Sequence, residues 1–191
     1  MNTLPKPGVF VPEAAQPAWP QGAARKALFL DRDGVININH GYVHSAEQTQ
    51  WVPGIFTLCG AARIAGYALI VVTNQAGIAR GYYTEAQFVS YTRWLHEQFA
   101  LQGVPLLATY YCPHHADAGQ GTYKVHCNCR KPRPGMLLAA ARDFDLQLAD
   151  CLLIGDMPSD QQAAVAAGVG TSWLLNDLPS SPATLFAEIP R

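Results

Sequence analysis

Short runs of hydrophobic residues alternate with longer amphipathic stretches along most of this chain. Five runs are almost wholly apolar, as strands buried on both faces of a sheet are. They cover residues 27–30, 68–73, 106–111, 151–154 and 171–175. Helical spacing is found between them, at residues 54–65, 84–102, 134–144 and 158–167. This alternation predicts an α/β fold with a doubly wound, three-layer parallel sheet.

Residues 1–25 differ from the rest because they contain five prolines and little hydrophobic periodicity. We expect an N-terminal arm there, either poorly ordered or extended along the surface. Residues 26–191 are predicted to form one domain. A chain of 191 residues with 49% hydrophobic and 14% charged residues is long enough, and apolar enough, to bury one compact core.

The overall charge narrows the choice of partners. The formal net charge is −1, from 13 Lys and Arg against 14 Asp and Glu, so no general field attracts nucleic acid or anionic lipid. No apolar run is long enough to span a bilayer, and the N-terminus lacks the basic-then-apolar order of a secretory signal. We therefore expect a cytoplasmic monomer that binds neither nucleic acid nor a membrane.

Acidic residues follow two of the predicted strands. Asp31 and Asp33 come directly after the first strand, and Asp156 follows the fourth. Ligands of open α/β sheets bind beyond the carboxyl ends of the strands, so these side chains should meet. Carboxylates that meet repel each other unless a cation such as Mg²⁺ neutralises them. We predict a magnesium site, whereas Asp160 could be a first-turn helix carboxylate without a catalytic task.

A second metal site is predicted in the polar loop of residues 112–129. Its candidate ligands form a Cys-x-His pair and a Cys-x-Cys pair, namely Cys112, His114, Cys127 and Cys129. Three thiolates and one imidazole match a closed, tetrahedral Zn²⁺ site of the structural kind. His115 and His126 compete for the place of the histidine ligand.

Four short motifs occur here in the order typical of the haloacid dehalogenase (HAD) superfamily, which the chain resembles over most of residues 26–175. They are DRDGV at residues 31–35, VTN at 72–74, Lys131, and GDMPSD at 155–160. The resemblance implies a magnesium-dependent phosphatase with an HAD-like Rossmannoid fold. No long insertion is available to build a large cap domain, so small substrates would enter an open cleft.

The resemblance also implies roles for individual residues. Asp31 would attack phosphorus, and Asp33 would protonate the leaving oxygen and later deprotonate the hydrolytic water. The side chains of Asp31 and Asp156, with the backbone carbonyl of Asp33, would hold Mg²⁺. Thr73 and Lys131 would bind the phosphoryl oxygens, one by a hydrogen bond and one by charge.

Longer stretches resemble one branch of the superfamily, the heptose bisphosphate phosphatases, whose sibling is the histidinol-phosphate phosphatases. These stretches are residues 40–44, 71–81, 110–115 and 129–132. The resemblance implies a small sugar bisphosphate as substrate. It also implies the substrate-binding residues Asn39, His40, Gly41, Tyr42, Thr73, Asn74, Gln75, Ala76, Arg130 and Lys131. The longer zinc loop and the sequence GIARG at residues 77–81 favour the heptose branch.

Three positions depart from the pattern of that branch. Val35, Asn39 and Met157 stand where Thr, Asp and Lys are customary. Without the Lys, a charge-assisted substrate contact is lost, but no nucleophile, acid or metal ligand changes. Two alternatives stay open. One is a phosphatase for histidinol phosphate or another small phosphomonoester, and the other is a zinc-loop interaction module on an inactive HAD scaffold.

Overall fold

The computed structural model describes residues 4–13, 24–179 and 185–186, so part of the predicted arm lies outside the described residues. Within these ranges six strands form one sheet. They are β1 (Gly8–Phe10), β2 (Ala27–Leu30), β3 (Ala68–Asn74), β4 (Ala108–Cys112), β5 (Leu152–Gly155) and β6 (Thr171–Leu174). The strand order is β1-β4-β3-β2-β5-β6, and every neighbouring pair is parallel except β1 with β4. The predicted fold class is confirmed.

Helices connect the strands, as the alternating pattern predicted. They are α1 (Ile55–Ile64), α2 (Ala76–Arg80), α3 (Glu85–Leu101), α4 (Gly135–Phe144) and α5 (Pro158–Ala167). Thr84 starts α3 with a capping box. The Thr84 hydroxyl accepts from the Gln87 backbone N–H at 3.2 Å, and the Gln87 side-chain oxygen accepts from the Thr84 backbone N–H at 2.8 Å. Of the helices in the described ranges, none combines the length and hydropathy needed to cross a membrane.

Helices cover both faces of the sheet because successive strand residues point to opposite sides. Phe29 and Ile70 belong to a core cluster that includes residues of α4 and α5. Leu28 and Val71 belong to a second cluster, which includes residues of α1 and α3. Burial on both faces explains why the central strands read as continuous apolar runs. The result is a three-layer fold in which the carboxyl ends of the parallel strands lie together.

The N-terminal segment contributes an edge strand that was not predicted. Residues Gly8–Phe10 pair antiparallel with β4, with Gly8 opposite Tyr111. A Cβ atom on Gly8 would overlap the Tyr111 ring, so glycine allows the close approach of the two chains. Three residues are too few to show a strand period, which is why the hydrophobic pattern did not reveal this strand.

Candidate active site and metal cluster

Three acidic side chains meet at the carboxyl end of the sheet. Asp31 follows β2, and its backbone N–H donates to the Ile154 carbonyl of β5 at 2.9 Å, so the two strand ends are joined. Asp156 follows β5, and Asp160 lies in the first turn of α5. One carboxylate oxygen from each of these residues lies within 4.8 Å of the other two. The structure therefore brings Asp31 and Asp156 as close together as a shared cation requires.

Asp160 is more deeply placed than its position in a helix first turn suggested. Its side chain is buried, and one oxygen accepts from the Met157 N–H at 3.0 Å, which caps α5. The other oxygen lies 2.5 Å from the Lys131 ammonium group. A Cβ atom on Gly155 would overlap the Asp160 side chain, so this glycine makes the room. Asp160 thus both caps the helix and belongs to the acidic cluster.

Lys131 is the cation at the centre of the cluster. Its buried ammonium lies 2.8 Å from the Asp31 carboxylate and donates to the Val72 carbonyl at 2.9 Å. Burial acts to lower the pKa of Lys131, but the carboxylates of Asp31 and Asp160 outweigh it, so the pKa is raised. The Asn74 amide bonds to the backbone N–H and C=O of Lys131, at 3.0 and 3.1 Å. Lys131 is therefore a permanently charged group held in one place.

The Lys131 charge alone does not offset the repulsion and burial of the Asp31, Asp156 and Asp160 carboxylates. Burial raises the pKa of Asp31 to about 7; the Lys131 charge opposes this effect, and the Asp160 carboxylate adds to it. Burial and the Asp160 carboxylate likewise raise the pKa of Asp156. A divalent cation among these oxygens would stabilise the ionised forms, and hard oxygen ligands suit Mg²⁺. The donor set therefore fits the predicted metal.

Asp33 points into the same site and is held by three donors. Its Oδ2 atom accepts from Arg32 at 2.6 Å and from the Gln75 amide at 3.3 Å, and its Oδ1 atom accepts from Asn37 at 3.1 Å. The buried Arg32 also donates to the Val43 carbonyl at 2.6 Å. Burial acts to lower the pKa of Arg32, but the charge of Asp33 outweighs it and the pKa is raised. Asp33 is thus oriented before any substrate arrives.

A cavity of about 440 Å³ opens over these groups. Its lining contains most of the predicted site residues, namely Asp31, Asp33, Asn39, Gly41, Tyr42, Thr73, Asn74, Gln75, Ala76, Lys131 and Asp156. Sequence reasoning did not assign Gly77, Tyr83, Ser159 or Asp160 to the site, although all four line the cavity, and it noted Met157 only as a departure. His40 and Arg130 are not among the lining residues. The His40 ring contacts Gln50 at 3.1 Å, and Arg130 donates to the His114 carbonyl at 3.5 Å.

The four predicted zinc ligands form a buried cluster, since their donor atoms all lie within 4.8 Å of one another. Cys112 Sγ is 3.5 Å from Cys127 Sγ and 3.2 Å from Cys129 Sγ, and His114 Nδ1 is 3.3 Å from Cys129 Sγ. The competing histidines are placed elsewhere. His115 Nδ1 accepts two backbone N–H groups, and His126 is exposed. Three sulfurs and one imidazole in a closed cluster fit Zn²⁺.

A parallel α/β sheet whose carboxyl end carries Asp31, Asp33, Thr73, Lys131 and Asp156 defines a phosphatase of the HAD superfamily. Residues 128–185 match the HAD-hydrolase-like family. The D-glycero-β-D-manno-heptose-1,7-bisphosphate 7-phosphatase of Vibrio cholerae is 49% identical over 152 residues, which is 80% of this chain and 82% of the relative. The α-heptose counterpart in Burkholderia mallei is 53% identical over 82% of each chain.

The solved structures agree with these relatives. D,D-heptose 1,7-bisphosphate phosphatase from B. bronchiseptica, crystallised with magnesium and phosphate, is 31% identical with a TM-score of 0.70. The match covers 86% of this chain and 97% of that one. The chain belongs to the D-glycero-D-manno-heptose-1,7-bisphosphate 7-phosphatase family. This membership confirms the predicted family and the predicted enzyme class, the phosphoric monoester hydrolases.

Proposed function

We propose that this enzyme hydrolyses the C7 phosphate of D-glycero-D-manno-heptose 1,7-bisphosphate through an aspartyl-phosphate intermediate. One observation carries the proposal. In a chain about half identical to named 7-phosphatases, Asp31 lies beside Lys131 and Asp156 on the wall of an open, sugar-sized cavity.

In the first step, the Asp31 carboxylate attacks the C7 phosphorus. The bond from phosphorus to the C7 oxygen breaks, and the proton held by Asp33 passes to that oxygen, so the sugar leaves as an alcohol. Lys131 offsets negative charge on the phosphoryl oxygens, while the Thr73 hydroxyl donates a hydrogen bond to them. Lys131 can do this without moving, because its ammonium already lies 2.8 Å from the Asp31 carboxylate.

In the second step, Asp33 acts as a base. It takes a proton from a water molecule as that water attacks phosphorus, the acyl phosphate bond to Asp31 breaks, and inorganic phosphate is released. Both carboxyl groups then return to their starting states. The three hydrogen bonds that Asp33 accepts hold the same group in place for both proton transfers.

Two metals complete the proposal. The side chains of Asp31 and Asp156, with the backbone carbonyl of Asp33, would hold Mg²⁺, which supplies charge neutralisation for the transferring phosphoryl group. Zn²⁺ would take the Cys112, His114, Cys127 and Cys129 cluster as a structural site. It would stabilise the loop that ends just before Lys131.

The product of the proposed reaction retains the phosphate at C1, as a precursor of nucleotide-activated heptose must. We place the enzyme in the cytoplasmic synthesis of such heptose for the lipopolysaccharide core or a related glycan. We propose that it works as a monomer. Asn39, Gly41, Tyr42 and Ala76 would contact the sugar.

Steady-state kinetics with magnesium test the proposal. We expect the highest kcat/KM for one anomer of the heptose bisphosphate, ahead of histidinol phosphate. Asp31→Asn should lose at least about 10³-fold in kcat, because it removes the nucleophile. Asp145→Asn is the matched control, since Asp145 is an exposed residue at the end of α4. Its backbone is left-handed, and asparagine tolerates that conformation. A wild type no more active than Asp31→Asn would end the enzymatic reading, and a preference for histidinol phosphate would overturn the substrate.

A further inference from the structure

Tyr83 lines the cavity, yet its place in the reaction follows from none of the four motifs. Its ring is buried, and its hydroxyl donates to the Gln75 side-chain oxygen at 2.6 Å. Burial raises the pKa of Tyr83 to about 12, although the charge of Arg32 opposes this, so the hydroxyl keeps its proton at neutral pH. Tyr83 is therefore a lasting hydrogen-bond donor to Gln75.

The Gln75 amide transmits this contact to two reacting groups. Because Tyr83 holds its oxygen, the NH₂ group faces the other way, where it donates to Thr73 Oγ1 at 2.8 Å and to Asp33 Oδ2 at 3.3 Å. Asp33 Oδ2 also accepts from Arg32 at 2.6 Å, so the reversed amide would turn its oxygen toward an oxygen that accepts rather than donates. A Thr73 oxygen that already accepts from Gln75 keeps its own hydrogen free to donate elsewhere. The hydrogen bond from Tyr83 thus sets which end of the Gln75 amide faces Asp33 and Thr73.

Neighbouring residues hold the Tyr83 ring so that its hydroxyl stays directed at Gln75. The His44 ring stacks on the Tyr83 ring, with centroids 4.5 Å apart and an interplanar angle of 14°. A Cβ atom on Gly77 would overlap the Tyr83 ring, so the glycine leaves the space that the ring fills. His44 lies two residues after Tyr42, which is a predicted substrate-binding residue, so Tyr83 also connects that segment with the catalytic residues.

We propose that Tyr83 is a positioning residue for phosphoryl transfer. It orients the Gln75 amide so that this amide holds Asp33 in place and leaves the Thr73 hydroxyl free to bind the phosphoryl group. The inference rests on the proposed function, in which Asp33 protonates the leaving oxygen.

The test compares two leaving groups in the Tyr83→Phe variant. The heptose bisphosphate loses an alkoxide that needs a proton, whereas p-nitrophenyl phosphate loses a phenolate that does not. We expect kcat/KM to fall about 10- to 100-fold for the heptose bisphosphate but less than about 3-fold for p-nitrophenyl phosphate. The KM for the bisphosphate should change little. Because kcat/KM covers steps only up to formation of phospho-Asp31, the later role of Asp33 as a base does not enter. A weakened Thr73 contact lowers both values alike.

Two further variants make the result decisive. Tyr110→Phe is the matched control, since it removes a buried hydroxyl that donates to Asp143 of α4 at 2.9 Å and does not line the cavity. In this variant the ratio of the kcat/KM values for the two substrates should not change. Gln75→Met should show the same selective loss as Tyr83→Phe, and the double variant should lose no more than either single one. Equal losses on both substrates, or losses that multiply in the double variant, would overturn the proposal, because Tyr83 would then not position Asp33 through Gln75.

The outcome also separates this inference from the proposed function. A wild type that does not hydrolyse the heptose bisphosphate refutes the function, and β-glycerol phosphate then serves as the alkyl ester in the same comparison. Circular dichroism checks each variant for folding. If Tyr83→Phe does not fold, Gln75→Met carries the test, and the absence of a selective loss in that variant refutes the inference.

Discussion

Acid should destabilise this enzyme through one buried histidine, His96 of α3. Its side chain is only 5% exposed, its Nε2 atom contacts the Thr109 hydroxyl at 2.8 Å, and Phe10 of β1 packs edge-on against the ring at 4.9 Å. Burial lowers the pKa of His96 from 6.5 to about 4, and an interaction with the backbone of Leu106 offsets only part of this effect. The folded state therefore resists a proton that the unfolded chain accepts readily.

The size and sign of the effect follow from proton linkage. As the pH falls below 6.5 the unfolded chain binds a proton at His96, but the folded protein does so only near pH 4. Stability therefore falls with falling pH across this window. The loss from this residue is about 2 kcal/mol by pH 5 and about 3 kcal/mol by pH 4.

Urea unfolding of wild type and His96→Gln between pH 7 and pH 4 measures this contribution. The unfolding free energy of wild type minus that of His96→Gln should fall by about 3 kcal/mol from pH 7 to pH 4, because glutamine does not titrate. Thr109→Val is the control. It removes the hydroxyl partner but keeps the imidazole, so its deficit should stay nearly constant with pH. A difference between wild type and His96→Gln that does not change with pH would refute the reasoning.

Two further predictions concern the metal sites. Gly34→Ala should lower magnesium affinity and kcat at least about 10-fold, because the added Cβ would overlap the Asp156 carboxylate. Gly54→Ala is the control. Gly54 has a similar positive φ but no atom near the added Cβ, so this variant should keep its magnesium affinity and kcat. Cys127→Ser should retain less than about half an equivalent of zinc by elemental analysis and unfold at a lower temperature. Cys151→Ser, which changes a buried cysteine outside the cluster, should keep its zinc, and equal zinc contents would contradict the predicted ligand set.

Hydrophobic patterning predicted the longer helices and the five parallel strands but missed α2 and β1. The predicted helix at residues 158–167 coincides with α5, and the other three predicted helices exceed the observed ones by only one or two residues at their ends. These elements span at least two turns or pass through the core, so the apolar period is unambiguous. In contrast, α2 has five residues and β1 has three, which is too short for any period to appear.

The site residues that could be predicted are those whose place follows from the position of the strands in the sequence. Residues at or just beyond the carboxyl ends of β2, β3 and β5 were expected to meet, so Asp31, Thr73 and Asp156 could be named in advance. Asp160 was harder, because a carboxylate in a first helical turn is usually a cap, and only the three-dimensional position of Lys131 shows its second partner. Tyr83 offered no sequence signal, since its contact with Gln75 depends on the path of α2.

The segment that carries Lys131 is pinned at two separate places. The sulfur cluster holds Cys127 and Cys129 on one side, and the Asn74 amide grips the Lys131 peptide itself. Residues 116–125 precede both places and lie between His114 and Cys127 of the cluster, so their length can vary without displacing the lysine. Insertions or deletions in this outer loop should therefore leave the catalytic residues in register.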